Sequence, residues 1–367
     1  MKVNRAYRYE LNPNAQQRLL LVKHAGAARF AYNWGLVRRI EQYQQSGKTP
    51  NAFEQHRELN RLKPTQYPWL YEVSKCAPQE ALRDLDRAFR NFFRGRKAGR
   101  RVGFPQFRKK GRDDRFRLRG AIRVVGRAVQ LPRLGRIRLK EEPQVQGRIL
   151  SATVSREADH WYVSLTVEVD LPNPEPVRGP SVGIDVGLHH FATVVGDDGT
   201  VAKVEAPRPL ERSLRCLRRR QRQHTRKRKG SKNRRKSALR LARLYRRIRH
   251  QRKDFLHKLT TRLAKTKSVI VVEDLNVSGL LRNHHLARHV ADSGWGEFRR
   301  MLAYKCLWYG SRLVVANRYY PSSKTCSACG HVLEALPLDV RGWDCPVCGA
   351  HHDRDVNAAR NLLAMAR

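Results

Sequence analysis

The sequence predicts a mixed protein, α/β in one part with all-β and helical parts beside it, along a chain of 367 residues. Apolar residues recur at helical spacing in the N-terminal part and then alternate with polar residues over positions 115–169. Short apolar runs of the kind that form buried strands follow a proline-rich segment. Two pairs of closely spaced cysteines near the C-terminus predict a small metal-binding module in addition.

The composition favours a nucleic-acid partner. Lysine and arginine number 76 against 32 aspartates and glutamates, which gives a net charge of +44. Such a charge destabilises a compact fold by self-repulsion unless a polyanion neutralises it. Because the basic residues are spread along the whole chain, we expect nucleic acid rather than an anionic membrane surface. No apolar run is long enough for a membrane span or a signal-peptide core, so the expected location is the cytoplasm.

The N-terminal part predicts one strand followed by helices. The first ten residues alternate as a strand does, and Asn12-Pro13-Asn14 is typical of a turn and a helix cap. Apolar stripes at helical spacing follow, at Leu20, Ala27, Ala31 and Trp34, and again at Ala81, Leu85, Ala88, Phe89, Phe92 and Phe93. We therefore expect a helical segment over residues 11–110, with basic loops between its helices.

Residues 115–169 predict a small antiparallel barrel. Ile137 and Leu139 alternate with Arg136 and Arg138, so one face buries aliphatic side chains and the other presents arginine to solvent or phosphate. The same alternation recurs along 161–169. The proline-rich segment 171–176 is a stiff linker, which predicts a domain boundary there.

The most basic stretch, residues 211–253, predicts a helical hairpin that binds phosphate. It holds 21 lysines and arginines among 43 residues and one acid, Glu211, with Gly230-Ser231 as the expected turn. A charge run is usually a solvated face, but this hairpin would repel itself without a polyanion against it. The side chains expected to contact nucleic acid are Arg136, Arg138, Arg226, Lys227, Arg228, Lys229, Arg234 and Arg235.

Two Cys-x-x-Cys pairs predict one structural zinc ion. Cys326 and Cys329 form the first pair, Cys345 and Cys348 the second, and residues 330–344 separate them. Each pair presents two thiolates to a tetrahedral ion, and a glycine follows each pair, where a tight knuckle must turn back. His331, His351 and His352 lie close enough to substitute as ligands, but the full cysteine set makes that unnecessary. Four thiolates close the coordination shell, so this zinc should not activate water.

Three acids at the ends of apolar elements predict a magnesium site. Asp185 lies between two glycines that are expected to leave room for a ligand, Glu273 ends a buried strand, and Asp355 lies in the first turn of the last helix. Singly, each is an ordinary strand-end or helix-N-terminal acid. Together they match phosphodiester hydrolysis, which uses two Mg²⁺ ions about 3.5–4 Å apart held by a few carboxylates.

Several motifs, taken in order, resemble the TnpB family, the OrfB-type proteins of insertion sequences, which are related to type V CRISPR effectors. The C-terminal ones are Gly183-Ile-Asp-Val-Gly, Glu273-Asp-Leu, the paired cysteine knuckles entered by Ser323-Lys-Thr-Cys326, and Asp353-Arg-Asp-Val-Asn-Ala-Ala. The N-terminal ones are Asp84-Leu-Asp-Arg-Ala-Phe89 and Phe104-Pro-Gln-Phe107. The similarity covers nearly the whole chain.

The resemblance implies a RuvC-type nuclease with the RNase H fold, in which Asp185, Glu273 and Asp355 are the catalytic, magnesium-binding triad. It implies that the nuclease comprises residues 179–325 and 350–367, with a zinc ribbon over 326–349 that binds target nucleic acid. It also implies that residues 1–10 and 111–178 form one N-terminal barrel, into which the helical segment 11–110 is a recognition insertion.

The partners that the resemblance implies are a guide RNA from the transposon end and a double-stranded DNA target. Guide pairing would choose the target next to a short duplex motif, and the protein would act at the nucleoid of a prokaryotic cell. Three other functions remain open at this point. They are a guide-directed DNA-binding regulator without cleavage, a transposase or transposase accessory that joins DNA ends, and a zinc-ribbon nucleic-acid binder without enzymatic activity.

Overall fold

The computed structural model describes residues 1–112, 114–337 and 339–366. The chain divides into two compact units, Met1–Leu171 and Pro172–Arg367. The division falls at the start of the proline-rich linker, earlier than the boundary expected after residue 178. Asp113, Leu338 and Arg367, which the sequence assigned to the barrel, the ribbon and the nuclease, lie outside the described residues.

The first unit contains one antiparallel sheet of seven strands. The strands are β1 (Lys2–Asn12), β2 (Arg115–Leu118), β3 (Arg123–Val125), β4 (Ala128–Leu131), β5 (Gly135–Leu139), β6 (Arg148–Glu157) and β7 (His160–Asp170). They are hydrogen-bonded in the order β2-β6-β7-β1-β5-β4-β3, and over the described residues the ladder ends at β2 and β3. β1 pairs with β7 from Lys2↔Asp170 to Leu11↔Trp161, so the segment between β1 and β2 is inserted into this sheet.

Alternation of side chains along the strands follows the sequence pattern. On β5, Ile137 and Leu139 are buried while Arg136 and Arg138 are exposed. Trp161, Val163 and Leu165 on β7 are buried as well, and Tyr162, on the opposite face, is an exception because it is buried too. The period of two therefore identified the core face of this sheet correctly.

Helices form the inserted segment. They are α1 (Ala15–Ser46), α2 (Ala52–Leu62) and α3 (Cys76–Lys97), with a 3-10 helix at Pro68–Glu72. α1 begins with a capping box between Asn14 and Gln17. At Gly35 a Cβ atom would lie 2.6 Å from Leu82 of α3, so this glycine allows α1 and α3 to pack closely.

The second unit contains a mixed sheet of five strands. They are β8 (Val182–Asp185), β9 (His190–Gly196), β10 (Val201–Glu205), β11 (Val269–Val272) and β12 (Arg312–Val315). The order is β10-β9-β8-β11-β12. β8, β9 and β10 are antiparallel neighbours, whereas β11 runs parallel to both β8 and β12. The carboxyl ends of β8 and β11 therefore lie at the same edge of the sheet.

Helices and a small hairpin complete the second unit. They are α4 (Pro209–Thr225), α5 (Lys232–Thr266), α6 (Val277–Leu280), α7 (Ala287–Ser293), α8 (Trp295–Tyr309), the strands β13 (Gly342–Asp344) and β14 (His351–Asp353), and α9 (Arg354–Leu363). α4 and α5 form the expected basic hairpin, with its turn at 226–231. β14 lies beyond residue 349, so the hairpin of the ribbon extends up to α9.

Gly183 on β8 has a different role from the one expected. A Cβ atom there would lie 2.0 Å from the Ala359 carbonyl oxygen and 2.5 Å from the Leu363 nitrogen of α9. The expectation that this glycine leaves room for a ligand is therefore wrong, because the backbone of α9 occupies that space. The close approach sets α9 directly against β8. No helix among the described residues has the length and apolar character that a membrane crossing requires.

Candidate active site and metal centre

The fold brings the three predicted acids to one edge of the mixed sheet. Asp185 is the last residue of β8 and Glu273 directly follows β11, and the pairing of Ile184 with Val272 sets these two side by side. Asp355 lies in the first turn of α9, which Asp353 caps by accepting hydrogen bonds from the Asp355 and Val356 N–H groups. The packing of α9 over Gly183 then carries Asp355 toward the other two acids.

Electrostatics confirm that these carboxylates lie near one another. Burial raises the pKa of Asp185 well above its usual value, and the negative charges of Glu273 and Asp355 raise it further. Arg354 and Arg341 oppose this effect only in part. Burial also raises the pKa of Glu273, against a hydrogen bond from Ser322. The site therefore concentrates negative charge that the protein itself does not fully compensate.

The donor set fits a hard divalent cation. Carboxylate oxygens are the ligands that Mg²⁺ prefers, and a cation would relieve the repulsion that raises the pKa of Asp185. Among the described residues, only the four cysteines bring all their ligand atoms within 4.8 Å of one another. The ligand oxygens of the three acids do not all lie within that distance of one another.

Sequence reasoning missed the groups that surround these acids. The Ser322 hydroxyl donates to Glu273 Oε1 at 2.6 Å, and Arg341 Nη1 lies 3.4 Å from Asp355 Oδ1. Neighbouring Asp274 instead binds Arg299 and Arg318, which lower its pKa, Arg299 having the larger effect. No local signal marks Ser322 or Arg341, because each meets its acid only through the tertiary fold.

The four cysteines form the predicted cluster. Their Sγ atoms lie within 4.8 Å of one another. Gly330 (φ +80°) and Gly349 (φ +70°) adopt the left-handed conformation that returns the chain after each knuckle, and each donates its N–H to the carbonyl of the first cysteine of its pair. The N–H of Cys348 stabilises the Cys345 thiolate and contributes to lowering its pKa to about 6. The cluster is compatible with a structural zinc ion.

Of the three neighbouring histidines, His352 approaches the cluster. Its Nε2 lies 3.1 Å from Cys326 Sγ, and its ring packs on Trp343 with the ring centroids 4.7 Å apart. Burial lowers the pKa of His352, which favours the neutral ring. His351 instead pairs with Asp344 at 2.7 Å. In the tautomer with its proton on Nε2, the neutral ring donates to Cys326 Sγ and supports this ligand without replacing it.

The side chains predicted to contact nucleic acid differ in their exposure to solvent. Arg136 and Arg138 are exposed on β5, and Arg226, Arg228, Lys229 and Arg235 are exposed at the turn between α4 and α5, where Lys227 is half-buried. Arg234 Nη1 donates to the carbonyl oxygens of Lys227 (2.7 Å) and His224 (3.2 Å). The Arg234 guanidinium therefore closes this turn, in addition to any contact it makes with nucleic acid.

Two cavities have linings in which the charged residues are mainly basic. One, of about 490 Å³, lies between α4 and α5 and is lined by Arg219, Arg220, Gln223, Lys227, Ser237 and Arg240. The other, of about 730 Å³, lies in the first unit, where α1, α3 and the segment 106–112 meet β2. Six lysines and arginines and one acid, Asp84, line it. Both cavities favour an anionic ligand.

A strongly basic chain with a carboxylate cluster at the edge of a mixed sheet and a four-cysteine cluster compatible with zinc has the features of the class of proteins that act on nucleic acid. Three family models match it. An OrfB-type model described as "Probable transposase" covers residues 163–284, and one described as "Cas12f1-like, TNB domain" covers 295–362. A third, described as an OrfB "Helix-turn-helix domain", covers residues 1–48, which here form one strand and one long helix.

Relatives match over almost the whole chain. A "Putative RNA-guided DNA endonuclease" of Streptomyces pristinaespiralis is 40% identical over 99% of this chain and 89% of its own length. "Putative RNA-guided DNA endonuclease InsQ" of Escherichia coli K12 is 34% identical over 99% of this chain and 92% of its own. The chain therefore belongs to the TnpB (OrfB) family of insertion-sequence proteins, as its motifs predicted.

A solved structure shares the fold. The Cas12f1 chain of a Cas12f1-sgRNA-target DNA complex superposes with a TM-score of 0.62 at 13% identity, over 99% of both chains. At this identity the likeness concerns the fold alone. It agrees with the predicted relation to type V effectors.

Proposed function

We propose that this protein is an RNA-guided DNA endonuclease that hydrolyses phosphodiester bonds at the site formed by Asp185, Glu273 and Asp355. The observation that carries the proposal is the convergence of these acids, from three separate elements, at one edge of the sheet. Identities of 34–40% to relatives named as RNA-guided DNA endonucleases, over nearly the full chain, support the same activity.

The proposed nuclease has the RNase H-like arrangement of RuvC. Three antiparallel strands followed by two parallel ones, in the order β10-β9-β8-β11-β12, support this assignment. The acids on β8, after β11 and on α9 support it as well. The seven-stranded sheet of the first unit would be the barrel of the family, and α1–α3 its recognition insertion.

In the proposed mechanism, side chains of this protein bind the metal ions, position a metal ligand and neutralise negative charge. Asp185, Glu273 and Asp355 would hold magnesium ions, which when bound supply water activation and stabilisation of the leaving oxygen. Ser322 holds one oxygen of Glu273, and Arg341 beside Asp355 would add a positive charge close to the metal ions and the substrate phosphate. The four cysteines would hold one zinc ion, which closes the ribbon and takes no part in the chemistry.

The proposed partners are a transposon-encoded guide RNA and a double-stranded DNA target, met in the prokaryotic cytoplasm at the nucleoid. The net charge of +44 and the two basic cavities support polyanion binding. Guide pairing would select the sequence, and the protein would read duplex shape and a short adjacent motif.

Strand transfer is the second candidate, because the matched family model is described as a transposase. Strand transfer joins a DNA end to a new partner, whereas hydrolysis leaves free ends. Denaturing analysis of the products separates the two activities. The proposal predicts free ends without joined products.

The test is cleavage of a guide-matched duplex in Mg²⁺ by the purified protein with its RNA. Asp185→Ala, Glu273→Ala and Asp355→Ala should each reduce the rate by more than the roughly 10–100-fold that loss of a ligand's supporting partner costs. Binding of RNA and DNA should persist, because the basic surfaces are unchanged. Asp254→Ala is the matched control, since Asp254 is an exposed acid that pairs with Lys258. A triad variant that cuts at the wild-type rate would remove its residue from the site.

A further inference from the structure

One short segment connects the acidic site to the cysteine cluster. We call residues 321–327 the strap. Its Ser322 is buried and donates its hydroxyl to Glu273 Oε1 at 2.6 Å. The same segment supplies Cys326, whose Sγ belongs to the four-cysteine cluster. The two sites therefore share one stretch of backbone.

Helix α9 holds the strap through two buried asparagines. Asn361 Nδ2 donates to the carbonyl oxygens of Ser322 (2.7 Å) and Thr325 (2.6 Å). Asn357 Oδ1 accepts from the Ser327 N–H at 2.9 Å, and its Nδ2 donates to the Thr325 carbonyl at 2.7 Å. Because α9 also carries Asp355, one helix fixes an acid of the site and the loop that supports another.

The contact between Ser322 and Glu273 is of the strong kind. A hydroxyl that donates to a carboxylate at about 2.5–2.7 Å makes a charge-assisted hydrogen bond, shorter and stronger than a neutral one. Within the described ranges, Ser322 is the one side chain that hydrogen-bonds Glu273. The bond restrains the position of Oε1 and the plane of the carboxylate. Because the carboxylate is planar, the bond also restrains the direction in which Oε2 points.

We infer that Ser322 is a positioning residue that orients Glu273 for metal binding, and that α9 and the cysteine knuckle hold Ser322 in place. The inference rests on the proposed metal-dependent function and adds a residue that the triad does not contain. A serine that merely fills space in the strap would be replaceable by alanine without effect on metal affinity. If the serine positions Glu273, replacement by alanine weakens metal binding. Replacement by threonine, which keeps the hydroxyl, then preserves much of the metal affinity.

Mn²⁺ binding, followed by electron paramagnetic resonance on the protein–RNA complex, tests this without relying on cleavage. The Asp185→Asn complex gives the background of Mn²⁺ held by RNA. Ser322→Ala should weaken binding at the acidic site by about 10-fold or more, the effect typical of losing a ligand's supporting hydrogen bond. Ser322→Thr should lie closer to wild type. Ser323→Ala, which removes the neighbouring hydroxyl, should match wild type, and zinc content should stay unchanged in all three.

Each outcome of this experiment either supports or overturns the inference. Wild-type affinity in Ser322→Ala overturns the inference and leaves the proposed function intact. Equal weakening in Ser322→Ala and Ser323→Ala, or loss of zinc from Ser322→Ala, assigns a general folding role to the strap and also overturns it. A wild-type complex with no more Mn²⁺ than the Asp185→Asn background contradicts the metal site, and the inference falls with it.

Discussion

At the scale of single residues, Asp185 has the most distinctive environment. Burial, Glu273 and Asp355 all raise its pKa, and they act before any cation arrives. The folded chain therefore binds the Asp185 proton more tightly than the unfolded chain does. Without divalent cations, the contribution of Asp185 to stability is therefore greatest at low pH, and it is lost as the pH rises from the ordinary carboxyl range through the raised pKa.

Asp185→Asn should abolish this loss of stability with rising pH. In buffer without added divalent cations, the variant should have a higher melting temperature than wild type at alkaline pH, and the gap should shrink as the pH falls and the wild-type carboxyl regains its proton. Added Mg²⁺ should raise the melting temperature of wild type and leave that of the variant unchanged. Differential scanning fluorimetry measures both. A variant less stable than wild type at the higher pH would contradict the electrostatic account.

Residue types at the ends of apolar runs singled out Asp185, Glu273 and Asp355, which the fold brings to one edge of the sheet, and spacing singled out the four clustered cysteines. Ser322 was out of reach because it meets Glu273 across 49 positions of sequence. Arg341 was hidden in the same way, since the ribbon must fold before its guanidinium reaches Asp355. A contact that depends on tertiary packing leaves no local pattern to read.

At the scale of elements, α4 depends on a residue from another helix. It follows Arg208, which has φ +42° and provides no side-chain cap. Asp292 of α7 accepts hydrogen bonds from the N–H groups of Leu210 and Glu211 at the start of α4. Arg252 of α5 donates to the same carboxylate at 2.9 Å. One buried acid therefore caps α4 and joins both helices of the basic hairpin to α7.

Asp292→Ala should loosen this junction. Loss of a buried, charged acceptor should destabilise the second unit by about 1–3 kcal/mol and leave Arg252 without its carboxylate. Amide hydrogen exchange at the first turn of α4 should accelerate. Asp254→Ala, on the exposed face of α5, is the control and should leave both quantities near wild type. Unchanged exchange at Leu210 and Glu211 in Asp292→Ala would show that α4 does not need this cap.

The ribbon is an element whose folding should require its metal. Cys326→Ser should remove about one zinc ion per chain, because metal binding and folding of such modules are coupled. Since Cys326 belongs to the strap, cleavage should fall as well, although the triad is intact. Metal analysis by mass spectrometry and a cleavage assay check the two effects. A wild-type protein that contains no zinc would contradict the four-thiolate site.

Periodicity identified many elements, but not how they are arranged. The period of two predicted the strands of the first sheet, and helical spacing predicted α1 and α3. The role of Gly183 was misread, because a glycine in a strand allows the approach of either a ligand or another backbone. Only the fold shows that α9 makes that approach. The order of the strands likewise depends on long-range pairing that no local pattern encodes.

At the scale of the whole molecule, the net positive charge is the dominant property. A net charge of +44 makes binding to any polyanion favourable, and that binding should weaken steeply with salt. Such attraction carries no sequence information, because phosphates are alike along the strand. If the protein is guided, the base sequence of its RNA must choose the target.

Exchange of the guide tests this central claim most directly. The protein is purified with an RNA whose variable end has been replaced, and is offered duplexes that match the old or the new sequence beside the same flanking motif. The account predicts that cleavage moves to the duplex that matches the new guide, and that it stops when the RNA is digested away. Cleavage that stays at the old sequence, or continues in full without RNA, would contradict it and would show that the protein reads DNA by itself.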